Sequence, residues 1–300
     1  MTVRNGERFL REQIDSVLAQ TDLDWILTIS DDGSMDASTE IIDEYVGCNP
    51  GRIRRYYAEK NFGNARDHFF YLMRHCDADH MLFCDQDDVW YPDKIKRIRQ
   101  IFSDTEKECG SDMPILAFSD QVITDAELNP IAPSLMRYQK QYFGSFDYRS
   151  ILMQNVVTGG AMGINQSLAK LAGQCTDPSQ MIMHDWWLAA VAARFGKIVY
   201  IDEPLGVYRQ HTGNAVGAKN MDSAEYLYSR FGTFSEIRAA IQLKKVQAGV
   251  FHETYRKSLN EEDELFLREF EKPRSGPGFY LKYMNLIHGR FRRVGFLLLG

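Results

Sequence analysis

Short apolar runs alternate with amphipathic stretches through the first third of the chain, and this alternation restricts the fold more than any other feature. Trp25–Ser30 (WILTIS) reads as a strand. The turn Asp31-Asp32-Gly33-Ser34 follows, then a helix with Ile41, Ile42, Tyr45 and Val46 on its inner side and Ser34 or Asp36 as its cap. Ile53–Ala58 is the next strand, Glu59–Arg66 a polar turn, and Phe69, Leu72, Met73 and Cys76 mark the next helix. Strands joined through helices at this spacing predict an α/β fold with a mostly parallel sheet flanked by helices. Ahead of them, Met1–Asn5 reads as the end of a strand and its turn, and Phe9, Leu10, Ile14, Val17 and Leu18 share a helix face. A parallel sheet normally begins with a strand before such a helix, so either residues are missing upstream or the first strand is very short.

The fourth apolar run, Met81–Phe83, ends in Asp85, Asp87 and Asp88. Tyr91-Pro92-Asp93 then opens a helical pattern with Ile95, Ile98, Ile101 and Phe102 on one face. Carboxylates this close raise one another's pKa unless a cation neutralises them. At the end of a buried strand they suit Mg²⁺ or Mn²⁺, which one or two carboxylates hold while phosphate oxygens complete the shell. A solvated acidic loop is the other reading.

Composition narrows the classes. A formal net charge of −6 argues against a nucleic-acid partner held by a basic surface. Five scattered cysteines with no C-x-x-C pair support neither a zinc nor a redox motif and suit a reducing, cytoplasmic setting. No apolar run reaches a membrane span, and the polar start lacks a signal-peptide core.

Beyond Phe102, Ile115–Thr124 reads as a strand, Leu128–Pro133 as a turn, and Met136–Tyr148 shows no clear periodicity. Asn155–Asn165 mixes β-branched residues with Gly159, Gly160 and Gly163. A helix opens at His184-Asp185-Trp186-Trp187 and stops at Gly196, which fits a C-cap. Ile198–Ile201 and Leu205–Tyr208 read as two short strands, and Arg209–Gly217 as a polar loop. Helices follow over Ser223–Lys272. After Pro273–Gly278 comes a segment with Lys282, Arg290, Arg292, Arg293 and Phe296–Leu299, which fits either an anionic membrane surface or, the preferred reading, packing on the core.

Six pieces in order, TVRNGERFLREQIDSVLAQT, ISDDGSMDAS, NFGNAR, FCDQDDVWYPDK, TGGAMGIN and HDWWLA, resemble the inverting glycosyltransferases of family 2, with the GT-A, Rossmann-like fold. DQDDVW and YRQHTGN look like bacterial rhamnosyltransferase-type members of surface-polysaccharide pathways. The resemblance implies a catalytic domain over 1–217 and a C-terminal helical extension over 218–300. It places Thr2 beside the nucleotide, Asp32 on the base, and Asn61, Gly63 and Arg66 in the next donor-binding turn. Asp87 becomes the metal ligand, Asp85 a ribose or water-mediated metal contact, and Asp185 the catalytic base. His211 would ligate the metal or touch the diphosphate. The local alternatives are an Asx turn for Asp32, a surface role for Arg66, a helix cap for Asp185 and an ordinary loop histidine for His211. Core packing of at least one of Trp186 and Trp187 is expected. The implied partners are a dTDP- or UDP-linked sugar donor and a saccharide or lipid-linked oligosaccharide acceptor. A sugar-nucleotide pyrophosphorylase and a non-catalytic nucleotide-sugar-binding subunit are the competing readings.

Overall fold

A computed structural model describes residues 1–141, 146–214, 234–272 and 277–287. The first strands, β1 (Thr2–Val3), β2 (Leu27–Asp31) and β3 (Ile53–Arg55), form a parallel sheet in that order, with Thr2 opposite Ser30 and Leu27 opposite Ile53. Helices α1 (Leu10–Leu18), α2 (Ser38–Cys48) and α3 (Ala65–Arg74) connect and follow them. Val3, Ile14, Ile29 and Ile42 bury the shared interior. Strand β1 spans two residues. β2 starts two residues later than the WILTIS pattern suggests, because Trp25 packs instead under the Arg52 guanidinium, 3.9 Å from its ring centre.

The second sheet runs β4 (His80–Leu82), β8 (Met162–Asn165), β6 (Ile115–Thr124), β9 (Lys197–Arg209), β5 (Val89–Trp90), with β7 (Pro130–Ala132) beside β6. Its β6–β9 pair is parallel, whereas β4–β8, β6–β8, β5–β9 and β6–β7 are antiparallel, so parallel pairing is confined to β1–β3 and β6–β9. All but one residue of β6 is buried, as a strand covered on both faces requires.

Three local readings change. The two short strands expected around Glu203-Pro204 are one strand, β9. Pro204 has no N–H to give the ladder, and the register shifts on either side of Asp120 absorb it as a bulge. The expected turn at Leu128–Pro133 contains β7, and β5 intervenes between the acid cluster and helix α4 (Lys94–Cys109). Gly196 ends its helix for a reason other than a left-handed cap. Its φ is −151°, and a Cβ there would lie 1.9 Å from the Pro114 carbonyl oxygen, so only glycine lets the two chains approach.

The remaining helices are α5 (Leu135–Tyr138), α6 (Tyr148–Met153), α7 (Gln166–Ala172), α8 (His184–Phe195), α9 (Phe234–Tyr255), α10 (Glu261–Phe270) and α11 (Pro277–Tyr283). One core joins Phe83 and Phe118 from the sheet, Trp187 and Leu188 from α8, and Phe251, Phe266 and Phe279 from the C-terminal helices. The 217/218 boundary and the basic residues at 290–293 lie outside the described residues. The described part of the final segment buries Phe279, Tyr280 and Tyr283. Among the described residues no helix is long and apolar enough to cross a membrane.

Candidate active site

The strand ends and helix starts converge on a cavity of about 680 Å³, a size that accommodates a nucleotide sugar. Thr2, Val3, Arg4 and Asp32 line it from the first sheet, Asp85–Asp88 from the loop after β4, Gly159 from the turn before β8, and His184–Trp186 from the start of α8.

The DDGS turn divides its two carboxylates. Asp31 takes the local role, accepting from the backbone N–H of Gly33 and Ser34 at 2.9 and 3.0 Å and from the Ser34 hydroxyl at 2.5 Å. Asp32 is thereby left to face the cavity. It is buried, with the Arg4 guanidinium 3.7 Å away, and it accepts from the backbone N–H of Phe62 and, at 2.8 Å, of Gly63. Gly63 adopts φ +74°, which favours glycine, and so presents its N–H to that carboxylate. Asn61, Gly63 and Arg66 do not line the cavity. The Arg66 guanidinium is engaged by Asp67 at 2.7 Å and by the Met181 carbonyl at 2.8 Å, tying α3 to the segment before α8. Asn64, Ala65 and His68 line the cavity instead. Asn64 caps α3 by accepting from the Asp67 N–H at 2.9 Å.

The acid cluster is the electrostatic centre. Burial and the neighbouring Asp87 push Asp85 up to about 7. Asp88 is raised by burial and by both neighbouring carboxylates, although it accepts from the Arg209 N–H at 3.2 Å and from Gln121 Nε2 at 3.3 Å. Asp87 Oδ2 lies 2.8 Å from His211 Nε2. The Gly213 N–H donates to His211 Nδ1 at 3.1 Å, so Nε2 carries the proton toward Asp87 in this tautomer. Among the described residues no three His, Cys, Asp or Glu side chains form a ready-made metal cage.

Asp185 sits in the first turn of α8, and its Oδ1 accepts from the Trp186 N–H at 2.6 Å. Burial pushes its carboxyl up to about 7, and Asp85 adds to the rise. Backbone N–H groups of the Gly159-Gly160 turn serve both carboxylates, Gly159 toward Asp185 and Gly160 toward Asp85. A Cβ on Gly160 would lie 2.7 Å from Asp85 Oδ2 and from Asp88 Oδ2, so glycine is what lets the turn reach them. Beside Asp185, His184 is buried between Phe69 and Phe83 with neither ring nitrogen hydrogen-bonded; desolvation lowers it to about 3, so it is neutral. The tryptophans also separate: Trp187 is fully buried, whereas Trp186 lines the cavity.

Arg209 is the residue that sequence reasoning missed, having been assigned to a polar loop. It ends β9 and is buried. Its guanidinium donates to the Asp87 carbonyl at 2.9 Å, to the Ala126 carbonyl at 2.8 Å and to Glu12, and it lies 4.5 Å from the Phe9 ring centre. No local signal distinguishes it from a surface arginine, since its partners lie between 83 and 197 residues away. Replacing Arg209 by Met leaves those acceptors unpaired. Urea unfolding is expected to show a loss on the order of 3 kcal/mol; an unchanged midpoint would mean that the clamp carries no load.

Two helix-flanked sheets thus meet at an acid-lined cleft, the architecture of a GT-A fold. The profile of "Glycosyl transferase family 2" matches residues 1–157, and the chain belongs to that family. It is 30% identical over 234 residues, 75% of this chain and 76% of the relative, to "dTDP-rhamnosyl transferase RfbG" of Shigella flexneri. It is also 30% identical over 220 residues to "Uncharacterized glycosyltransferase alr2836" of Nostoc, covering 70% of this chain and 63% of that protein. Among solved structures, Staphylococcus aureus TarS 1-349 in complex with UDP-GlcNAc superposes with a TM-score of 0.57 at 13% identity, over 99% of this chain and 86% of that one. The mannosyltransferase PcManGT of Pyrobaculum calidifontis, in complex with GDP-Man and Mn²⁺, gives 0.53 at 12% identity, over 99% and 76%. At these identities the structural likeness is one of fold.

Proposed function

We propose that the chain is an inverting, metal-dependent glycosyltransferase that moves a sugar, rhamnose in the favoured case, from a dTDP- or UDP-linked donor to a hydroxyl of a saccharide or lipid-linked oligosaccharide in surface-polysaccharide assembly. The observation that carries this reading is that Asp185, held at about 7, opens on the same cavity as Asp85 and Asp87, with only the Gly159-Gly160 turn between base and donor acids.

Asp87 and Asp85 would hold Mg²⁺ or Mn²⁺ together with diphosphate oxygens, with His211 as a further candidate ligand. Asp87 Oδ2 is hydrogen-bonded to His211 at 2.8 Å, and Asp85 and Asp87 both line the cavity. When bound, the ion supplies charge neutralisation to the departing diphosphate. His211 must release its Nε2 proton to join that shell. Thr2 and Asp32 hold the nucleotide end. Asn61 and Gly63 act less directly, by shaping the turn whose amides Asp32 grips, and Arg66 by tying α3 to the segment before α8. Asp185 accepts the proton of the acceptor hydroxyl while that oxygen forms the new bond to the anomeric carbon. The bond to the diphosphate breaks on the opposite face, so configuration inverts. Trp186 lines the acceptor side of the same cavity.

The dTDP preference rests on the Shigella relative's name, and the use of Mn²⁺ on the mannosyltransferase structure as well as on the donor set. Family membership favours transfer over the pyrophosphorylase and the non-catalytic subunit. A cytoplasmic setting, at the inner face of the membrane for a lipid-linked acceptor, belongs to the same proposal.

A thermal-shift panel of nucleotide sugars with and without Mn²⁺ tests it. A donor at about 100 times its Kd is expected to raise Tm by about 4 °C, and only with the metal present. No shift with any nucleotide sugar, or pyrophosphate released from a sugar phosphate and a nucleoside triphosphate, would sink the reading.

A further inference from the structure

Lys94, the first residue of α4, is fully buried. Its ammonium donates to the Gly160 carbonyl at 2.5 Å and lies 4.1 Å from the centre of the Trp90 ring. The other side of Gly160 faces Asp85 and Asp88, so one residue has a cation on one flank and two carboxylates on the other. No direct ion pair joins them; the charges act across residue 160, where a low dielectric keeps Coulomb attraction strong. A lysine is rarely sealed away from water without such a partner, because desolvating the ammonium is costly. Arg209, another buried cation here, spends its guanidinium on two carbonyls and Glu12. Only its backbone N–H reaches Asp88. Lys94 is therefore the side-chain cation that faces Asp85 and Asp88 across Gly160, with the Met1 ammonium a smaller contributor at Asp85.

We propose that Lys94 is the built-in counter-cation of the donor site, a positioning residue that lets Asp85 and Asp88 stay buried side by side before a donor arrives and that anchors the Gly159-Gly160 turn between them and Asp185. The proposal rests on the assignment of Asp85 and Asp87 to the donor, but its decisive arm does not.

The full chain is compared with Lys94→Met, which conserves volume and removes charge, and with Asp88→Asn alone and combined with Lys94→Met. Lys94→Met is expected to lower the metal-free Tm by on the order of 10 °C, because it strands buried like charges. Adding Asp88→Asn is expected to restore at least half of that loss, because the second substitution removes the charge that the first left unpaired. If Lys94→Met does not fold, the double variant is expected to fold. A lysine that served only as a hydrogen-bond donor to Gly160 would show no rescue, and additive losses, or a double variant that also fails to fold, would overturn the proposal. A separate arm adds Mn²⁺. The Tm rise is expected to be larger in Lys94→Met than in wild type, because the added ion replaces the missing charge. If Mn²⁺ shifts neither protein, the metal assignment falls while Lys94 is still judged by the rescue; if it shifts both equally, the counter-charge role is refuted.

Discussion

Asp185→Asn is expected to abolish most sugar transfer while leaving donor and metal binding nearly intact. The amide keeps the shape of the carboxylate and its hydrogen bond from the Trp186 N–H, but it cannot take a proton from an acceptor hydroxyl. A positioned general base contributes about 10²- to 10⁴-fold, so kcat is expected to fall by that factor. Titration calorimetry with donor and Mn²⁺, run beside a transfer assay, reads both quantities. Full residual transfer would remove Asp185 from the mechanism.

The same side chain sets a pH signature. Burial holds Asp185 at about 7 in the folded protein against 3.8 in an open chain. Only the charged form can act as base, so kcat/KM is expected to rise with pH through a midpoint near 7. Stability moves the other way. The folded state retains a proton between those two pH values that the unfolded chain has lost. The associated stabilisation is complete below about pH 4 and disappears as the pH rises through 7. Above that, the buried charge opposes folding by up to roughly 4 kcal/mol. Asp185→Asn is therefore expected to raise Tm at pH 8 and to lose that advantage near pH 4. Equal Tm differences at the two pH values would contradict the burial argument.

Asp87→Ala is expected to weaken Mn²⁺ and metal-dependent donor binding by about 100-fold or more, since it removes the proposed direct ligand where even outer-shell losses cost 10- to 100-fold. His211 loses its 2.8 Å partner in the same step. Metal-free stability is not expected to fall with it, because Asp87's charge raises both Asp85 and Asp88, and its removal relieves that repulsion. Calorimetric titration of the variant with Mn²⁺, with and without donor, decides; unchanged affinity would place the ion elsewhere.

Much of the site was legible because its residues end local patterns. Asp32 and Asp85–Asp88 terminate strands, and Asp185 begins a helix, so periodicity alone placed them at strand or helix ends. The same logic located β6 to the residue and α8 to within one residue at its end. It failed where a residue's job is set by distant chain. Arg66 faces Met181 rather than the cavity. The run at Ile198–Tyr208 looked interrupted, yet a bulge opposite Asp120 carries it through Pro204 as one strand.

The amino-acid sequence by itself determined the α/β class, the order of the early strands and helices, and which carboxylates terminate them, because hydrophobic periodicity and turn chemistry act between near neighbours. Only the tertiary structure decided that β4, β5 and β8 run antiparallel to their partners, that Trp186 faces the cavity while Trp187 fills the core, and that Lys94 and Arg209 lie buried beneath the acid cluster. Strand direction and the pairing of a buried charge depend on groups brought together from far along the chain, and local pattern carries no record of those encounters.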